Sequence, residues 1–245
     1  MERTRARTLR VPGPLSMFDH KLKRVLTSLT KEYGEMRIGF IGAGRVTQVM
    51  GRHLLNAGHT IAVCNSRGPE TLAGSIKEFG PGATAETKDQ VVESDVVIIS
   101  VRWGQAEEAL QGVDWTGRIL VDAMNAHAEL EGDVSLAGVT KSRAVLAETR
   151  STSSELVAQW APGARLVKSI SNVPMEWIED FSADRPRTVL FASGDDPEAK
   201  DLVMGMLSGA GFAAVDLGSL AVGGAMHEVG APLSGLELHL IKRMR

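Results

Sequence analysis

The chain has 245 residues, 43% of them hydrophobic and 23% charged, with a net charge of −3 at pH 7. That is enough for one compact domain or a large domain with a small appendage, and so even a charge balance gives no reason to expect nucleic acid or membrane binding. A single cysteine, Cys64, excludes a disulfide framework and fits a reducing cytoplasm, and no apolar run approaches the roughly 18 residues that span a bilayer.

Residues 1–35 read as a flexible N-terminal extension outside the fold proper. Arg3, Arg5, Arg7 and Arg10 precede Val11-Pro12-Gly13-Pro14, and Phe18 to Tyr33 has the pattern of a short basic helix. The Arg-rich start has the look of a transit peptide, but Glu2, Asp19, Glu32 and Glu35 run against it. A ragged extension, or a translation start placed upstream of Met36, accounts for it better.

Met36 to Arg67 organises the rest. Ile38 to Ile41 is a short apolar run suited to a buried parallel strand. Gly42-Ala43-Gly44 turns the chain, and Arg45 to Ala57 has helical spacing, with Val46, Val49, Met50, Leu54 and Leu55 on one side. Gly58 ends that helix and Thr60 to Cys64 predicts a second strand. A glycine turn set between strand and helix is the context a dinucleotide fingerprint requires. Gly42 permits the turn, Gly44 lets backbone approach a pyrophosphate, and the helix beginning at Arg45 offers free N–H groups to that anion. The third glycine position holds Thr47, which is expected to move the helix slightly outward. The second strand ends in Asn65-Ser66-Arg67, with no carboxylate for a ribose 2′-OH but a hydroxyl and a guanidinium for a 2′-phosphate. The reading is NADP(H) over NAD(H).

The following elements alternate. Gly68-Pro69-Glu70 starts a helix through Phe79, Ala83 to Ala85 is a short strand, and Thr87 to Glu93 a short helix. Asp95 to Val101 is a buried strand, followed by Arg102-Trp103-Gly104 and a helix over Gln105 to Leu110. Arg118 to Asp122 is a strand ending in Ala123-Met124-Asn125. Ala126 to Ala147 is a poorly patterned connection. Thr152 to Trp160 is helical, Arg165 to Ile170 a strand leading into Ser171-Asn172-Val173-Pro174, and Thr188 to Ala192 another strand. Gly194-Asp195-Asp196-Pro197 opens a helix to about Ser208, and Phe212 to Leu217 is a strand. From Leu220 on, a Gly-rich turn precedes a terminal apolar helix, which would suit a homodimer. This pattern predicts an α/β fold: a Rossmann-type doubly wound parallel sheet over 36–148, with a small C-terminal α/β extension over 149–245 completing the substrate cleft. Ligands of such sheets lie beyond the strands' carboxyl ends, where the loops at 42–47, 65–68, 101–104 and 123–126 should meet.

Several chemistries are excluded. The one tyrosine, Tyr33, lies outside the core, so no Tyr-Lys proton relay can be built. The large helical substrate domain of hydroxyacid dehydrogenases and pyrroline-carboxylate reductases is missing. No HExxH, CxxC or other metal-ligand spacing occurs, and the six histidines are scattered. His227-Glu228 is an acid–base candidate or a helix-surface pair, and His127 lines the cleft or is an ordinary loop residue. Trp103 stacks near the nicotinamide or closes the core. Lys168 and Arg102 contact an anionic ligand or are simply solvated. A pocket with NADP(H) and no proton relay suits hydride exchange with a second redox cofactor.

MRIGFIGAGRV, NSRGPETL, the strand–VRWG turn, the GDDPEAK helix start and the ending VDLGSL…HEVGAPLSGLEL together resemble the NADP oxidoreductases dependent on coenzyme F-420, an 8-hydroxy-5-deazaflavin. The resemblance covers about residues 36 to 242. It implies hydride transfer between nicotinamide C4 and deazaflavin C5, with Ala43, Gly44, Arg45 and Val46 on the pyrophosphate and Ser66-Arg67 on the 2′-phosphate. Val101, Arg102 and Trp103 match the family's turn beside the nicotinamide, where Pro is usual at Arg102. Ser171, Asn172, Pro174 and Met175 match the segment lining the ring site; His or Asn is usual at Ser171 and Ala at Met175. With Gly42, Asn65 and Asn125, these form the expected cofactor and substrate set. An NADPH reductase of an imine or other small electrophile, with His127 or His227 as acid, and a non-catalytic NADP(H) sensor are the competing readings.

Overall fold

The computed structural model describes residues 34–126, 151–180 and 186–242. The readings made for the extension up to Tyr33, for His127 and for the rest of the connection after Ala126 lie outside these described residues.

The strands are β1 (Arg37–Ile41), β2 (Thr60–Cys64), β3 (Ala83–Ala85), β4 (Val96–Ile99), β5 (Ile119–Asp122), β6 (Arg165–Ser169), β7 (Arg187–Gly194), β8 (Ala213–Asp216) and β9 (His239–Leu240). The helices are α1 (Arg45–Asn56), α2 (Ala73–Phe79), α3 (Lys88–Val91), α4 (Ala106–Leu110), α5 (Ser153–Trp160), α6 (Pro197–Gly209) and α7 (Ala225–His227). All strands belong to one sheet in the order β3-β2-β1-β4-β5-β6-β7-β8, with β9 paired to β7. The first six run parallel, so the fold is an α/β fold of Rossmann type. The chain reverses direction across the sheet between β1 and β4, the switch point at which open sheets of this kind bind ligands.

Side-chain alternation sorts the core onto two faces. Ile38, Phe40, Val96, Ile98, Val121 and Val167 share one buried cluster with Val49, Met50 and Leu54 of α1 and Val203, Met206 and Leu207 of α6. Val97, Ile99, Leu120 and Leu166 share the other with Ala106 and Leu110 of α4, Trp115, and Val157 of α5. Each such fully buried aliphatic side chain contributes about 1.5–3 kcal/mol, which is why the apolar runs, covered on both sides, carry no polar alternation. Cys64 is buried here, and burial pushes its thiol up to about 11, leaving it an inert core group.

Two expectations are corrected. The sheet is mostly, not wholly, parallel: β7 runs antiparallel to β6, with Lys168 opposite Ser193, and β8 follows β7. The cause lies just after β6. Ile170 has φ 65° and turns the chain across the ligand end, and Met175–Ile178 then makes a 3-10 turn there, with Ile178 O 2.6 Å from His53 Nε2 of α1. Among the described residues between β6 and β7 no crossover helix takes the chain to the opposite end, and β7 starts where β6 stops. Second, the tail is not a terminal apolar helix. Gly230, Pro232 and Gly235 interrupt it, and the chain instead forms β9 against Arg187 and Thr188, with Val189 N donating to Leu238 O at 2.8 Å. Among the described residues no helix is long and apolar enough to cross a membrane.

Candidate functional site

The glycine turn closes tightly on the sheet. Gly42 has φ 110°, its N–H donates to Cys64 O at 3.0 Å, and a β-carbon there would lie 2.4 Å from Ser100 O. Only glycine fits. Val101 packs over this turn from the end of β4, its Cγ1 3.2 Å from the same added atom. Gly44 is the reverse case: an added β-carbon meets nothing within 4 Å, so open space lies in front of it. Gly44 also caps α1 without any side-chain hydrogen bond, and no acidic residue occupies the first turn. The amino end of α1 is thus an open anion site. Arg45 begins this helix and pairs with Glu179, both side chains about 40% exposed, 45% and 40%. Such a pair is weakly held in water and leaves the guanidinium available to a phosphate.

Thr47 sits in the junction between α1 and the turn. Its side chain is buried, and its hydroxyl donates to Gly42 O at 2.8 Å with Ser100 Oγ 3.1 Å away. The usual glycine is replaced by a residue that ties helix to turn.

At the end of β2, Asn65 shapes the loop. Its Oδ1 accepts from Arg67 N at 2.9 Å and its Nδ2 donates to Thr71 Oγ1 at 2.9 Å. The Ser66 hydroxyl and Arg67 guanidinium are left exposed beside each other. The loops after β1, β2, β4, β5 and β6 all open at the same end of the sheet, because those strands run parallel. Arg102 is exposed there, whereas Trp103 is half-buried with its ring 5.1 Å from that of Trp160.

The ring-site segment divides. Asn172 is buried, and its amide serves β7: Nδ2 donates to Val189 O and Oδ1 accepts from Phe191 N, each at 3.3 Å. Met175 is buried in the same cluster as Ile170, Val173 and Ile178. Pro174 is exposed, and Ser171 is buried with its Oγ unpartnered among the described residues. Sequence reasoning missed the tail. Gly235 N donates to Asn172 O at 2.8 Å, bringing Leu236 and Leu238, both about 40% exposed (41% and 38%), against this end of the sheet. A Gly-Pro-Gly interruption in a run taken for helix was the available signal.

Lys168 is neither solvated nor turned to a ligand. It is fully buried, with Nζ 3.4 Å from the equally buried Asp122 Oδ2 and donating to Met124 O at 3.2 Å. Asp122 also accepts from Ser154 Oγ at 2.5 Å and, through Oδ1, from Met124 N at 2.9 Å. His227 and Glu228 are no helix-surface pair: His227 is buried with Nε2 3.0 Å from Ser193 Oγ, and Glu228 accepts from Ser153 N. Burial, and secondarily the Lys168 ammonium, lowers His227 from 6.5 to about 3. The fold therefore holds it neutral. Below the ordinary 6.5 the unfolded chain takes up a proton that the folded chain refuses, so this stability is intact above 6.5 and is lost as pH falls toward 3. His53 and His59, lowered chiefly by burial, act in the same direction. We expect the urea midpoint to drop from about pH 7 to about pH 4, with His227→Gln flattening the slope by up to about 1.4 kcal/mol per pH unit. An unchanged slope would remove His227 from the account.

Among the described residues no group of acidic, histidine or cysteine side chains could hold a metal ion. Residues 37–126 match the family model described as NADP oxidoreductase coenzyme F420-dependent. Two solved structures are similar. One is the hypothetical protein SMa0349 of Sinorhizobium meliloti, 30% identical, with a TM-score of 0.72 over 87% of this chain and 99% of that one. The other is a protein of Arthrobacter sp. FB24 assigned as an F420-dependent NADP-reductase, 24% identical, with a TM-score of 0.61 over 76% of this chain and 86% of that one. A curated relative, metalloreductase STEAP3 of Rattus norvegicus, is 26% identical over 187 residues, covering 76% of this chain and 34% of its own. The chain thus spans about a third of that relative's length.

Proposed function

We propose that this chain, whose residues 37–126 match the family model of coenzyme F420-dependent NADP oxidoreductases, transfers a hydride between NADP(H) and coenzyme F-420, as a cytoplasmic enzyme. The match to a family of NADP oxidoreductases and the likeness to an NADP-reductase support the nucleotide half, and the deazaflavin is the finer assignment. The observation that carries the nucleotide half is the open, uncapped amino end of α1 with free space at Gly44, beside the exposed Ser66 and Arg67.

These residues fit the cofactor. Gly42, Ala43, Gly44, Arg45 and Val46 would hold the pyrophosphate, and Asn65, Ser66 and Arg67 the 2′-phosphate. Val101, Arg102, Trp103 and Asn125 would border the nicotinamide, with Ser171, Asn172, Pro174 and Met175 behind the second ring. The bound dinucleotide supplies the hydride donor or acceptor at its C4. The chain's own work is to bind and orient. The backbone N–H groups of α1 neutralise the pyrophosphate, Val101 walls the turn, and the Asn172–β7 bonds and the tail fix the far side. Two stacked rings need no proton relay, which accords with the buried, neutral His227.

The test is NADPH oxidation, and NADP+ reduction, with coenzyme F-420, followed by the deazaflavin absorbance. Turnover in either direction is the expected result. NADPH binding without turnover in either direction would overturn the deazaflavin assignment and favour reduction of an imine or other small electrophile, or a sensor.

A further inference from the structure

The amino end of α1 has no acid of its own, since its first turn carries none. A carboxylate is nevertheless delivered there from another element: Glu179 pairs with Arg45, the first residue of the helix. Glu179 is the residue on which the 3-10 turn Met175–Ile178 ends. Met175 and Ile178 are buried in one cluster with Val49 and Met50 of α1, and Ile178 O lies 2.6 Å from His53 Nε2 of the same helix. The backbone just before Glu179 is therefore pinned to α1, which keeps the carboxylate close to Arg45.

The manner of that contact matters. Glu179 is held by the Arg45 side chain, and both groups stay partly exposed. The start of α5 is different, because there Thr152 and Glu155 accept backbone N–H groups in a reciprocal capping box. A partly exposed ion pair is weakly held in water, so an anion of higher charge can take the guanidinium from Glu179. A diphosphate is such an anion, and it also engages the N–H groups at the start of α1 that Glu179 leaves unused.

We infer that Glu179 is a built-in competitor for the diphosphate subsite: it holds Arg45 until a diphosphate binds, and its charge sets the affinity of the cleft for the diphosphate. This rests on the NADP(H) reading above and adds to it a regulating contact from the segment that follows β6. Glu179 acts through Arg45 and does not touch the nucleotide.

Equilibrium titration of the full chain with NADPH and NADH, which share the diphosphate, tests this on wild type, Glu179→Gln and Glu176→Gln. Glu176 lies exposed in the same 3-10 turn and serves as the charge control. Glu179→Gln should tighten both nucleotides by the same factor, about threefold to tenfold, the gain from removing one like charge a few ångströms from a dianion in near-aqueous surroundings. That gain should fade at about 1 M salt, where charges are screened beyond about 3 Å. Glu176→Gln should give no comparable gain. Unchanged or weakened NADPH binding in Glu179→Gln would overturn the inference; so would an equal gain from Glu176→Gln, or a gain for NADPH alone. Wild type binding neither nucleotide would instead overturn the cofactor reading on which the inference rests.

Discussion

Lys168→Met will lower stability by about 3–5 kcal/mol, because it strands the Asp122 carboxylate in a dry interior. Both side chains are 0% exposed. Ser154 Oγ and Met124 N would remain as partners of Asp122, but neither carries a charge. The double variant Lys168→Met, Asp122→Asn should recover much of the loss, since a neutral amide can keep the bond from Met124 N without a buried charge. Urea unfolding of the wild type and both variants measures this. If the double variant is no more stable than the single one, lost packing around the lysine stem is the cause, not the unpaired carboxylate.

Arg67→Ala will weaken NADPH by about 1.5–3 kcal/mol, the worth of a charge-assisted phosphate contact, and so by roughly tenfold to more than a hundredfold. NADH, which lacks the 2′-phosphate, should bind wild type and variant alike. The prediction rests on the Asn65-Ser66-Arg67 turn, whose backbone is fixed by Asn65 Oδ1 on Arg67 N while the guanidinium stays exposed. The same loss for both nucleotides in a fluorescence titration would mean that Arg67 does not read that phosphate.

The parallel half of the fold was legible because its signals are local. A glycine turn between an apolar run and a 3.6-residue pattern has few other meanings, and Thr60–Cys64 and Ala83–Ala85 have the predicted bounds. Strand direction is different: Arg187–Gly194 has the same composition whichever way it runs, and the positive φ at Ile170, where the chain turns after β6, has no sequence signature. The tail failed for a related reason. Leu236, Leu238, Leu240 and Ile241 are apolar enough to suggest a helix, but the choice between helix and strand was made by β7, whose backbone past the end of β6 lacked partners. Polar residues were the hardest to read. Lys168, Asn172 and His227 all suggested ligand chemistry or solvent, and each is spent inside the protein on groups distant in sequence. The partners 46 residues apart for Lys168 and 34 for His227 are invisible to any local pattern.

The three longer helices also decide which way round an elongated dianionic ligand can lie. The amino end of α6 follows β7 and so points to the far edge of the sheet, where the Asp196 side chain occupies it. The amino end of α5 does face the ligand, but Thr152 and Glu155 close it reciprocally and Glu228 takes a further N–H. That crowd of carboxylates would repel a diphosphate. Of these three helices among the described residues, only the start of α1 is vacant, so a diphosphate would sit there, and with Arg67 on the adenosine side, as proposed, the reactive ring would lie toward β5 and β6.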